Sequence, residues 1–100
     1  MTDEGLVQLK ALSELEILNL GHTRVSDAGL IHLVGLTELR TLYLSRTAVT
    51  DAGLVHLKGL LKMKQLAVAH TGVTDAGVAK LKQSLPSCLI ATQFEAFGGW

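Results

Sequence analysis

Residue types capable of acid–base or metal chemistry recur along this chain of 100 residues. A hydroxyl residue followed by aspartate stands at Thr2-Asp3, Ser26-Asp27, Thr50-Asp51 and Thr74-Asp75. Histidines occur at His22, His32, His56 and His70, and a lone cysteine at Cys88. Aspartate, histidine and serine are the raw material of a hydrolytic triad, and paired histidines that of a metal site. The spacing speaks against both. An active site needs its acid once, whereas here the acid returns in every unit. No strained serine turn and no phosphate-cradling glycine loop is present; Ser13, Ser26, Ser45, Ser84 and Ser87 fall at loop or cap positions. His32 and His56 hold equivalent places on successive helical segments, whose axes pack ~8–10 Å apart. Their column, Gln8, His32, His56 and Lys80, contains no cysteine or carboxylate and reads as a solvated face. His22 and His70 flank Arg46, whose charge repels a cation. No catalytic residue, metal or other cofactor is expected.

The elements that carry these residues follow from self-similarity, the first pattern to seek in a short chain. "TDEGLVQL", "SDAGLIHL", "TDAGLVHL" and "TDAGVAKL" begin at Thr2, Ser26, Thr50 and Thr74, each 24 residues after the last. The other half of the unit returns as "LEILNLGHT", "LRTLYLSRT" and "MKQLAVAHT". Residues 15–20, 39–44 and 63–68 alternate apolar and variable positions, as half-buried strands do. The segments 27–34 and 51–58 place leucines at i, i+3 and i+6, the face of a short helix: Leu30, Leu33 and Leu36, then Leu54, Leu57 and Leu60. Ser26, Thr50 and Thr74 are expected to cap these helices by accepting from first-turn N–H groups. Asp27, Asp51 and Asp75 then meet the positive helix end. Neither strand nor helix buries its apolar side alone, so neighbouring units must stack. Strands sit ~4.8 Å apart and helices ~8–10 Å, so the stack bends toward its sheet, which becomes the concave face.

The frame L-x-x-L-x-L, present as Leu15, Leu18, Leu20 and as Leu39, Leu42, Leu44 and weakened to Met63, Leu66, Val68, resembles the leucine-rich repeat family. The T-D-x-G-L helix opening is most similar to bacterial tandem repeats. Eukaryotic F-box repeats usually have cysteine where this chain has Thr23, Thr47 and Thr71. "LPSCLI" resembles the L-P-x-C-x-I close of such arrays, and puts Cys88 in the place of the first strand leucine as a buried small hydrophobe. The resemblance covers about residues 2–90 and implies an α/β solenoid, a short horseshoe with parallel strands on the concave face and short helices on the convex face. One domain of repeats 2–25, 26–49 and 50–73 is expected, with an irregular terminal repeat 74–93 and a tail, 94–100, whose Phe94, Phe97 and Trp100 are expected to fold back as a cap, the alternatives being the start of a further segment or a partner-binding segment.

The resemblance further implies a module that binds another protein on its concave face. An alternative is a substrate-recognition or structural segment of a larger regulatory or ubiquitin-ligase-like protein. The positions that vary between units carry this expectation: Ile17, Thr41 and Gln65 in one column, Asn19, Tyr43 and Ala67 in the next, Glu16, Arg40 and Lys64 beside them, and His22, Arg46 and His70 just past the strands. Tyr43 with Arg40 and Arg46 leads the set, because aromatic and arginine side chains dominate interface hot spots. The threonines at 23, 47 and 71 are read as hydroxyls serving loop backbone. A net charge of zero argues against nucleic acid or an anionic membrane as partner. No apolar run reaches the ~18 residues of a membrane span. With no signal-like amino terminus and one cysteine, the expected location is the cytoplasm. Leu6, Leu9, Leu12 and Leu15 lack a preceding repeat, and an open parallel edge invites self-association there or continuation of a longer array.

Overall fold

The computed structural model describes residues 1–92; the expected aromatic cap from Phe94 to Trp100 lies outside them. Four strands, β1 (Ile17–Asn19), β2 (Thr41–Tyr43), β3 (Gln65–Ala67) and β4 (Leu89–Ala91), form one parallel sheet in chain order. Each register partner lies 24 residues on from β1 through β3, as in Leu18, Leu42 and Leu66. Between β3 and β4 the offset is 24 as well, pairing Leu66 with Ile90. The strands are shorter than the six-residue segments that alternation marks, but inter-repeat bonding runs past their ends: Leu20, Leu44 and Val68 each donate a backbone N–H across the ladder at 2.8 Å.

Helical segments fill the return path. A 3-10 segment, Asp3–Ala11, opens the chain. Two short α-helices follow, α1 (Asp27–Leu30) and α2 (Asp51–Leu54), each tightening into a 3-10 turn at Ile31–Leu33 and Val55–Leu57. The leucine spacing explains the tightening. Residues three apart line up in a 3-10 helix, which has 3.0 residues per turn. Leu30, Leu33, Leu36 and Leu39 recur at that interval, all four fully buried, and the three-residue bonds from Leu36 N–H to Leu33 and from Leu39 N–H to Leu36 carry it on to the strand. The last helix, α3 (Asp75–Ser84), is a regular α-helix of ten residues. Where the earlier units have Gly35 and Gly59, it has Gln83, so the helix continues toward Pro86, which cannot extend it. Cys88 lies in the core, as the column of strand-opening residues requires. Burial pushes its thiol pKa up, against weaker opposing pulls from Lys82 and Lys64.

Asp27, Asp51 and Asp75 lie in the first turn of their helices as expected, and the carboxylates of Asp3, Asp27 and Asp51 have a second part that sequence position does not suggest. Asp3 Oδ1 accepts the Ser26 N–H at 2.7 Å, and Oδ2 accepts the Ser26 hydroxyl at 2.5 Å. Asp27 holds Thr50 through the same pair of bonds, with the N–H at 2.7 Å. Asp51 holds Thr74 at 2.7 and 2.5 Å. Each carboxylate is thus a staple from one repeat to the next. The hydroxyls act first as donors to it. Ser26 makes no cap hydrogen bond at all, while Thr50 and Thr74 accept only the long bonds from Ala52 (3.3 Å) and Gly77 (3.4 Å). The hydroxyl and then the N–H of Thr74 hold the Asp51 carboxyl below the usual carboxylate range.

The glycine of the motif makes room for the staple. A methyl group at Gly29, Gly53 or Gly77 would collide with the carboxylate of Asp3, Asp27 or Asp51 respectively. The threonines past the strands behave as expected. Thr23, Thr47 and Thr71 each donate to the backbone carbonyl three residues earlier, at 2.6 Å. At the amino-terminal end the four leucines of the first unit differ in burial. Leu6 is fully buried because it packs beside Gly29 of α1; Leu9 and Leu15 are partly buried, and only Leu12, at 48%, is broadly exposed.

The staple yields a reversal of helix propensity. Alanine normally stabilises a helix over glycine by ~1 kcal/mol. Gly53→Ala is expected instead to destabilise by about 1–3 kcal/mol, because the added methyl displaces Asp27. Urea unfolding measures this; a stabilised variant would refute the packing role of the glycine.

Candidate functional site

The concave face is assembled by the register itself. Ile17, Thr41, Gln65 and Leu89 form one row across the sheet, and Asn19, Tyr43, Ala67 and Ala91 the next. The row ends are apolar and open: Ile17 is 64% exposed and Leu89 59%. Thr41, Tyr43 and Gln65 are half-buried, and Asn19 is exposed. Ala67 departs from the expected outward column, because it is fully buried. Its methyl is too short to rise from the ladder between its register neighbours Tyr43 and Ala91. Asn19 also serves its own turn, its Oδ1 accepting the Gly21 N–H at 2.9 Å.

Beside these rows run Glu16, Arg40 and Lys64, all exposed. Arg40 Nε stands 3.6 Å from Glu16 Oε1, one repeat back. A second inter-repeat pair, not picked out from the sequence, joins Lys62 Nζ to both oxygens of Glu38 at 2.8 and 2.9 Å. Lys62 lowers the Glu38 pKa, first by hydrogen bonding and then by its charge. Both pairs are solvent-exposed and contribute little stability. Their effect is on the distribution of charge. Among the concave residues Glu16, Arg40, Arg46 and Lys64, three cations meet one anion, on a chain of net charge zero.

The rim of the sheet holds a feature that sequence reading did not supply. His22, Arg46 and His70 have φ of 60°, 61° and 56°, the left-handed conformation, at the same point of three successive repeats. Non-glycine residues pay roughly 1–2 kcal/mol for it. The chain needs a tight turn there, since Gly21, Ser45 and Ala69 must pass close to one another: Ser45 and Ala69 are fully buried, and Ser45 Oγ accepts the Ala69 N–H at 3.1 Å. Glycine would meet that need with less strain, yet each unit places a polar side chain there, exposed to solvent. The available sequence signal is the small residue preceding each of them.

The remaining candidates separate by location. Asp3, Asp27 and Asp51 are committed to the staples. Cys88 is buried. Among the described residues no three His, Cys, Asp or Glu side chains gather in a way that could hold a metal ion, and no helix is long and apolar enough to cross a membrane.

Comparison with known proteins agrees with this architecture. The Leucine Rich repeat family matches residues 12–34 and 36–58. Internalin C2 of Listeria monocytogenes superposes with a TM-score of 0.71 at 27% identity, over 84% of this chain and 34% of its own. The chain therefore spans about a third of the length of that protein. The Chaetomium Mex67:Mtr2 subunits also give a TM-score of 0.71, at 16% identity over 90% of this chain and 69% of theirs, a likeness of fold alone. No curated protein sequence matches the chain.

The rim conformation separates stability from side-chain function. Arg46→Gly relieves the left-handed strain and is expected to hold or raise stability. Arg46→Val puts a β-branched residue in that conformation and is expected to lose about 1–2 kcal/mol. Thermal unfolding of the two variants decides; equal losses would mean that the arginine side chain, not its backbone, governs the turn.

Proposed function

We propose that this chain, a leucine-rich-repeat protein, is an interaction module that engages another protein on its concave face and has no catalysis of its own. The outward rows of the sheet carry the reading: Ile17 and Asn19 are exposed and Thr41, Tyr43 and Gln65 half-buried, while Leu42 and Leu66 between them are fully buried, so the frame is fixed from below and the face differs from repeat to repeat. The exposed His22, Arg46 and His70 follow the strands at the rim of the same face. The binding set is Glu16, Ile17, Asn19, His22, Arg40, Thr41, Tyr43, Arg46, Lys64, Gln65 and His70. The cytoplasm is the proposed location. Quantitative pull-downs with wild type and with Tyr43→Ala plus Arg46→Ala test the face. Partner recovery is expected to fall by roughly tenfold or more, as for hot-spot truncations above ~1.4 kcal/mol. Unchanged recovery by a folded double variant overturns the proposal.

Self-association through the first repeat belongs to the same reading. Leu12 is 48% exposed where its equivalents Leu36 and Leu60 are fully buried, and β1 is an edge strand. Light scattering is expected to show a mass that rises with concentration and falls back in Leu12→Glu. A strictly monomeric protein at high concentration would count against it.

A further inference from the structure

A second surface lies on the opposite side of the solenoid. Between α2 and α3 runs an open groove of about 570 Å³. Its floor includes the buried Leu54 and Leu81, and its walls include Val55, which is 53% exposed, and Ala79. The groove arises from two departures of the fourth repeat. The column Val7, Ile31, Val55 ends in Ala79, so a branched side chain is cut back to a methyl. Replacement of the helix-ending glycine by Gln83 lets α3 run for ten residues, about 15 Å. Ala76, Ala79, Lys80 and Gln83 therefore fall at i, i+3, i+4 and i+7, on one helical face that lines the groove.

The charge around this apolar trough is uneven. Lys58 and Lys80 both line it and are exposed, and neither makes an ion pair among the described residues. Asp51, the acid in the lining, is already committed to Thr74. An apolar floor between two unmatched ammonium groups complements a ligand with an apolar stripe and acidic flanks. The trough is about three helical turns long, with small residues along one wall, which permits close approach of a helix. Amphipathic helices docked in such grooves place apolar side chains at i, i+3, i+4 and i+7 on the floor.

We propose that the α2–α3 groove is a docking site for an acidic amphipathic helix of a partner protein, separate from the concave face. The test uses the full chain and two synthetic alanine-rich peptides of about 20 residues, beyond the ~12–15 at which isolated helices are marginal. One has leucine at i, i+3, i+4 and i+7 flanked by glutamate; the other has lysine in place of each glutamate. The acidic peptide is expected to shift the backbone amide resonances of residues 51–58 and 76–83 saturably and to leave those of the strands in place. Lys58→Glu plus Lys80→Glu is expected to weaken it roughly tenfold and to favour the lysine peptide, as reversal of rim charge does. Ala79→Leu, which fills the trough, is expected to abolish binding of either. Binding indifferent to peptide charge, shifts confined to the strands, or a response to decanoate but to neither peptide would overturn the proposal.

Discussion

The bond from an aspartate of one repeat to the hydroxyl and N–H of the next is the constraint on which this structure turns. Repeats of this size cannot fold singly, since each has an apolar strand face and an apolar helical face with nothing of its own to cover them. Hydrophobic burial drives them together but is not directional. Direction comes from polar bonds made only at the correct offset. Asp27 reaches Thr50 with both oxygens, so sliding one repeat along the other breaks two charge-assisted hydrogen bonds at once. The ladder from β1 to β4 fixes the offset on the concave side, and the carboxylates fix it on the convex side.

This also accounts for why the motif is a group of residues and not a single acid. The aspartate needs a hydroxyl residue one repeat ahead to receive it. It also needs a glycine one repeat ahead, because any larger residue would occupy the carboxylate's place. Ser26 and Gly29 serve Asp3, while Asp27 beside them serves Thr50 and Gly53. Residues contiguous in sequence thus belong to two different interfaces, one facing backward and one forward.

That division sets what could be read from the sequence. The period, the strand–helix alternation, the buried place of Cys88 and the turn hydroxyls of Thr23, Thr47 and Thr71 were all legible, because each depends on contacts that repeat in step with the sequence. The partner of Asp51 was not. In a periodic chain a residue has the same neighbours by type within its own repeat and in the next, so spacing alone does not distinguish a cap from a staple. The interval of Leu30, Leu33 and Leu36 marks a short helix, but over so few residues a spacing of three is common to α and 3-10 winding and does not separate them. Of the concave face, the rows were legible from alternation. The burial of Ala67 depends on the height of its neighbours, and the left-handed turn at Arg46 on how closely small residues pass, neither of which is a property of one residue's type.

The same physics divides the molecule between what is held constant and what is free. Inward leucines and staple residues are set by stacking and cannot vary without loosening it. Residues facing away from the interfaces carry no such load, and there the repeats diverge: Glu16, Arg40 and Lys64 share one position with opposite charges, and Val55 and Ala79 share another with different bulk. A neutral chain arranged this way need not have neutral surfaces. Arg40, Arg46 and Lys64 lie on the sheet side, and Lys58 and Lys80, without an ion pair among the described residues, line the α2–α3 groove. Because the stack is registered on both sides, each surface presents equivalent positions at the spacing of the repeat, about 4.8 Å from strand to strand and 8–10 Å from helix to helix. The two faces of one stack therefore set out their charges at different spacings, close on the sheet side and wide on the helical side.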